Sequence, residues 1–177
     1  RQSGGVLVSR SPYLEPKLEP EVALKLRSEP RADMDDEALI STIEWISPAF
    51  EIVQSIYPGW RFALADCAAA NGLHGALLLG PPKRPGSWTR KMPDISLDLY
   101  HGKMLVETGF GRSVLGGHLD SLRHLIASLL ADGAAPLSAG EIVTTGTLTD
   151  AQSLTPGDTW SARFRNSPLG TIEASFS

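Results

Sequence analysis

The sequence predicts an α+β fold, strand-rich, with two or three helices and a mixed or antiparallel sheet. Several short segments alternate apolar and polar residues with the period of a half-buried strand. Only a few carry the stripe of an amphipathic helix, and strands and helices do not alternate regularly as a parallel βαβ fold requires. The 177 residues suit one large domain, and 42% hydrophobic residues, 17 Gly and 13 Pro describe a globular chain with many turns. A net charge of -4 argues against any general attraction to nucleic acid or an anionic membrane. The only basic cluster, residues 83–91, is interleaved with Pro and Gly and reads as a loop. Cys67 is the single cysteine, which leaves no internal disulfide and points to a reducing cytoplasm. No apolar run is long enough for a transmembrane helix.

Taken in order, residues 1–17 read as irregular, with Gly4-Gly5, Pro12 and Pro16. A strand follows and stops near Pro30. Residues 33–46 predict a helix, with Asp33 as its cap, acids in its first turn and a stripe of Leu39, Ile40, Ile43 and Ile46, ended by Pro48. Residues 50–57 alternate as a strand that places Glu51 opposite the face of Phe50 and Ile52. Residues 60–70 have helical composition, closed by Asn71-Gly72. Residues 74–79 read as a short buried strand and 81–94 as a Pro-rich basic loop. Residues 95–100 and 103–108 form a hairpin around His101-Gly102. A second long helix over 116–130 turns Leu122, Leu125, Ile126 and Leu129 inward. A β-rich segment, 141–145, leads into Gly146-Thr147-Leu148-Thr149, and strands over 160–164 and 171–176 close the chain.

The segment Leu18-Glu19-Pro20-Glu21-Val22-Ala23-Leu24-Lys25-Leu26 carries the chemistry. In a strand, Leu18, Pro20, Val22, Leu24 and Leu26 share the core face while Glu19 and Glu21 project together from the other. With Lys25 as the first basic residue read on that face, the two carboxylates repel, and a hard divalent cation is the simplest resolution. Glu51 is a third acid on a strand.

These segments occur in a recognisable order: Leu18 to Ala23, Pro48-Ala49-Phe50-Glu51-Ile52-Val53, Asp66 through Asn71 to Leu79-Gly80, and Val114-Leu115-Gly116. Leu137 to Val143, Thr145 to Thr149 and Pro156-Gly157-Asp158 follow. The pattern resembles the fumarylacetoacetate hydrolase superfamily, most of all its branch of 2-oxopent-4-enoate (2-hydroxypentadienoate) hydratases and 4-oxalocrotonate decarboxylases. The resemblance implies that family's β-rich fold over a single catalytic domain, 1–177. Relatives carry an N-terminal region before the glutamate pair, with a lysine and an acid for proton transfer; this sequence does not include it. It also implies Mg²⁺ or Mn²⁺ held by Glu19, Glu21 and Glu51, acting as a Lewis acid on a small 2-oxo or 2-hydroxydienoic acid. Thr147 matches a substrate-contacting threonine and Asn71 a polar pocket position; no residue is assigned as general acid or base. The implied activity is hydration of a 2-hydroxydienoate in aromatic catabolism. A 2-oxo acid decarboxylase is the first alternative, and a non-catalytic structural or ligand-binding subunit the second. A homo-oligomer is implied, with a related decarboxylase or hydratase subunit as another possible partner.

The sequence departs from these relatives at several points. Ala70-Asn71 and Leu73-His74 stand where Asp-Asn and a following serine are usual, Pro20 separates the paired glutamates, and Gly117-His118 replaces a polar residue and proline. Taken singly, Thr147 also fits a simple turn residue and Asn71 a helix C-cap. His74 reads as a core histidine at a strand end, with a substitute acid–base role as its alternative. His118 reads as packing or capping. Asp120, Ser121 and His124 share one helical segment in which the adjacent side chains of Asp120 and Ser121 diverge, which argues against a triad.

Overall fold

The computed structural model describes residues 6–9 and 12–177. Among these residues, ten strands form two sheets: β1 (Val6–Val8), β2 (Lys17–Leu26), β3 (Ile43–Val53), β4 (His74–Leu79), β5 (Ser96–His101), β6 (Met104–Phe110), β7 (Ile142–Thr144), β8 (Gln152–Ser153), β9 (Thr159–Arg165) and β10 (Thr171–Phe176). Three α-helices accompany them: α1 (Asp36–Ser41), α2 (Leu64–Ala69) and α3 (His118–Ala131). One sheet runs β1-β10-β9-β5-β6; the other runs β4-β3-β2-β7, with β8 on the same edge of β2 as a second short partner. Among the described residues only β1 and β10 pair in parallel, so the fold is α+β with a mixed sheet as the alternation predicts.

One apolar cluster joins the two sheets. Leu18, Val22, Leu24, Phe50 and Ile52 meet Leu97, Leu99, Phe164 and Ile172, with Leu119 and Leu122 of α3 packed among them. Each fully buried side chain of this size contributes about 1.5–3 kcal/mol relative to exposure. The core face read for β2 is therefore the one the fold buries, which leaves Glu19 and Glu21 on the opposite side. Among the described residues, no helix is long and apolar enough to cross a membrane.

Several local expectations are corrected. The first helix covers only Asp36–Ser41, capped by Asp35 through the Ala38 amide (2.8 Å) rather than by Asp33. Its expected second half is strand: Ile43 and Ile46 lie in β3, in register with Leu26 and Leu24. Pro48 lies inside β3, and its carbonyl accepts from Gly80 N–H at 2.8 Å, at the end of the β4 ladder where a missing donor costs little. β3 starts earlier than expected and ends at Val53 instead of Tyr57, while β2 stops at Leu26, short of Pro30. The helix over 60–70 shrinks to α2, preceded by a single turn, Pro58–Trp60. β4 is an edge strand, half-exposed rather than buried. The 81–94 loop ends in a 3-10 segment, Thr89–Asp94. Within 1–17, Val6–Val8 is a strand, while Gly4-Gly5 lies outside the described residues.

Candidate metal centre

β2 and β3 are antiparallel neighbours, and their register sets Glu19 directly across from Glu51. Glu21 lies opposite Ala49, diagonally adjacent to Glu51 on the same face. One carboxylate oxygen from each of the three lies within 4.8 Å of the others. Like charges facing across a ladder destabilise it, so this arrangement calls for a cation.

Burial sharpens the demand. Glu21 is only 2% exposed, and Gly146 N–H donates to its Oε2 at 2.9 Å. Burial, with Glu51 and Glu19 adding repulsion, pushes the Glu21 carboxyl up to about 8, although the Gly146 hydrogen bond pulls the other way. Glu19 is raised as well, first by burial and then by Glu51, with Lys17 opposing. Lys17 corrects the reading of the strand: it shares the face of Glu19 two residues earlier, closer than Lys25. Its Nζ lies 4.2 Å from the Trp60 ring centroid, and no ion pair with Glu19 is formed among the described residues. Lys25 is spent on Glu44 at 3.0 Å. Neither ammonium therefore neutralises the three acids. An all-oxygen set of this kind suits a hard divalent ion such as Mg²⁺ or Mn²⁺.

Pro20, between the two glutamates, sits without damage to the β2–β3 ladder. Its carbonyl accepts from Leu148 N–H at 3.0 Å, so its missing N–H falls on the irregular edge between β7 and β8. The turn on that edge brings Gly146 to Glu21. A buried histidine supports it: His118 Nδ1 lies 2.8 Å from Thr145 Oγ1, whose hydroxyl donates to the Val22 carbonyl at 3.1 Å. Nδ1 is thus the donor, and burial lowers His118 to about 4, keeping it neutral. The packing role read for His118 is the one it fills.

Thr147 follows Gly146 in this turn, but its hydroxyl donates to the Thr149 carbonyl at 2.9 Å. Asn71 is exposed with φ 55°, just past the C-cap Ala70 of α2, where a left-handed residue closes a helix. It makes no side-chain hydrogen bond among the described residues. Three residues later His74 does: its Nδ1 lies 2.7 Å from Glu51 Oε1. Of the two sequence readings of His74, a core histidine or an acid–base group, the core one is corrected, since the residue is exposed. The cause is a bulge, since Ile52 pairs with Ala76 and Val53 with His74, skipping Gly75. Strict alternation would put His74 on the face away from Glu51; the extra residue turns it onto the same face. A cleft of about 570 Å³ lined by Arg27, Arg84, Arg90 and Glu37 lies elsewhere, with Arg27 roughly 20 Å along the strand from Glu21. It has no part in this centre.

No protein-family profile matches the chain. Individual proteins do. A 2-keto-4-pentenoate hydratase of Dechloromonas aromatica (strain RCB) is 32% identical over 97% of this chain and 64% of its own length. A 4-oxalocrotonate decarboxylase of Pseudomonas putida is 29% identical over 98% of this chain and 64% of its own. The solved 4-oxalocrotonate decarboxylase of Pseudomonas putida G7, complexed with magnesium and adipate, superposes with a TM-score of 0.85 at 26% identity, covering 98% of this chain and 65% of that one.

The chain is a homologue of these hydratases and decarboxylases.

Its fold is that of the fumarylacetoacetate hydrolase family: a protein from Oleispira antarctica assigned as a fumarylacetoacetate isomerase/hydrolase shares it with a TM-score of 0.70 at 17% identity. A second structure of the Pseudomonas putida G7 decarboxylase holds calcium and acetate. This homologue spans about 64% of the length of the curated relatives it matches.

Proposed function

We propose that this chain carries the metal centre of a lyase that hydrates a small 2-hydroxydienoate or 2-oxo-enoate, such as 2-hydroxypenta-2,4-dienoate. The observation that carries the reading is the facing pair Glu19 and Glu51 with buried Glu21 beside them, one carboxylate oxygen from each lying within 4.8 Å of the others. In this reading Glu19, Glu21 and Glu51 hold Mg²⁺ or Mn²⁺. The bound ion supplies Lewis-acid stabilisation of negative charge on the 2-oxygen of the substrate. The chain's own residues define the rest. Gly146 N–H fixes the Glu21 carboxylate, so the ligand is oriented before an ion arrives. The Thr145–Thr149 turn, held by His118, is the candidate wall for the substrate carboxylate, with Thr147 and Asn71 as the candidate binding side chains. The exposed apolar residues of edge strand β6, Met104, Leu105, Val106 and Phe110, support a homo-oligomer or assembly with a related subunit. The proposal carries a cytoplasmic setting.

Decarboxylation of a 4-oxalocrotonate-type 2-oxo acid is the second reading. It is favoured by the 0.85 TM-score to a decarboxylase, whereas the 32% identity favours a hydratase. Incubating the full-length protein and Mn²⁺ separately with 2-hydroxypenta-2,4-dienoate and 4-oxalocrotonate distinguishes them. Loss of the dienoate chromophore without carbon dioxide is the expected result. Carbon dioxide released from 4-oxalocrotonate assigns the decarboxylase, and inertness toward both contradicts either activity.

A further inference from the structure

We propose that His74 is a positioning residue for this centre, holding one oxygen of Glu51 so that the other is presented to a divalent ion. The inference rests on the metal-centre reading and concerns how this chain builds it.

The contact is short: His74 Nδ1 to Glu51 Oε1 is 2.7 Å. A carboxylate only accepts, so Nδ1 carries the hydrogen and donates. Glu51 Oε1 is thereby committed, and its rotation about the terminal torsion is fixed. His74 is not itself in the cluster of ligand oxygens, which among the described residues comprises the three glutamates alone. It acts from outside, as groups do that orient a metal-ligating carboxylate.

The backbone is shaped to allow this. The register slips between Ile52 and Val53, leaving Gly75 as the extra residue and His74 opposite Val53, on the face of Glu51. A Cβ on Gly75 would meet the Ile52 carbonyl oxygen at 2.8 Å and the Tyr13 ring at 3.1 Å, so only glycine fits the crowded bulge. Bulges recur where a side chain must be re-aimed. Here the side chain re-aimed is the imidazole of His74, brought onto the face of Glu51.

The test is calorimetric titration of Mn²⁺ into the metal-free full-length protein, with wild type, His74→Ala and His74→Asn compared, and with the metal-free melting temperature of each recorded. His74→Ala is expected to bind Mn²⁺ about 10- to 100-fold more weakly, the usual loss when an outer partner is removed, at an unchanged metal-free melting temperature. His74→Asn, whose amide N–H reaches the place of Nδ1–H, is expected to recover most of the affinity. Wild-type affinity in His74→Ala overturns the proposal, as does a loss that His74→Asn fails to restore or that follows a fall in the metal-free melting temperature. A wild type that takes up no Mn²⁺ overturns the metal-centre reading and this one with it.

Discussion

At Glu21, burial and charge work against each other. The carboxyl is pushed to about 8 from an ordinary 4.5, so the folded chain retains a proton that the unfolded chain gives up. The stability linked to that proton is fully present below about pH 4.5 and is lost as pH rises through about 8. The metal-free protein should accordingly melt at a lower temperature at pH 8.5 than at pH 5.5. Glu21→Gln, which keeps an acceptor for Gly146 N–H but carries no charge, should flatten that slope and melt higher than wild type at pH 8.5. Differential scanning calorimetry across this range checks both; a flat wild-type profile would contradict the assignment. Glu19 and Glu21 were legible from the sequence because their strand keeps strict alternation. Lys17 was on the same face by the same rule, and the Trp60 ring that occupies its ammonium comes from a distant turn.

Where elements were misread, non-local pairing had decided against local preference. Leu39, Ile40, Ile43 and Ile46 satisfy a helical stripe, yet Ile43 and Ile46 gain a ladder with β2 that no local rule displays. Pro48 signals a helix end in sequence but inside β3 it only removes one donor. β1 was invisible because its parallel partner, β10, lies at the other end of the chain. The β4 bulge hid His74, since one extra residue reverses which face every earlier side chain takes. That bulge is also testable by itself. Gly75→Ala places a methyl against the Ile52 carbonyl oxygen and should cost about 1–3 kcal/mol, as overpacking does, read as a lower urea midpoint at unchanged slope. An unchanged midpoint would show that the strand pair relaxes freely there.

Over the whole molecule, the two sheets close on one core, and that closure puts the three acids on the face of β2 and β3 turned away from the core. The ordered motifs were enough to expect the fold, and the superposition on the Pseudomonas putida G7 decarboxylase bears that expectation out. The candidate metal centre was legible to the extent that all three acids lay on strands. Their convergence depends on a register, Glu19 across from Glu51, that only the assembled sheet supplies. The Gly146 amide comes from the turn after β7 and its His118–Thr145 support from the start of α3, both remote in sequence from β2 and outside any local pattern. The most direct test of the centre is thermal unfolding of metal-stripped wild type and Glu19→Gln, Glu21→Gln and Glu51→Gln variants as Mn²⁺ is added at pH 7.5. A saturable rise in the wild-type melting temperature that each substitution weakens or abolishes is the expected result. A wild type indifferent to Mn²⁺, or variants that respond as wild type does, would contradict it.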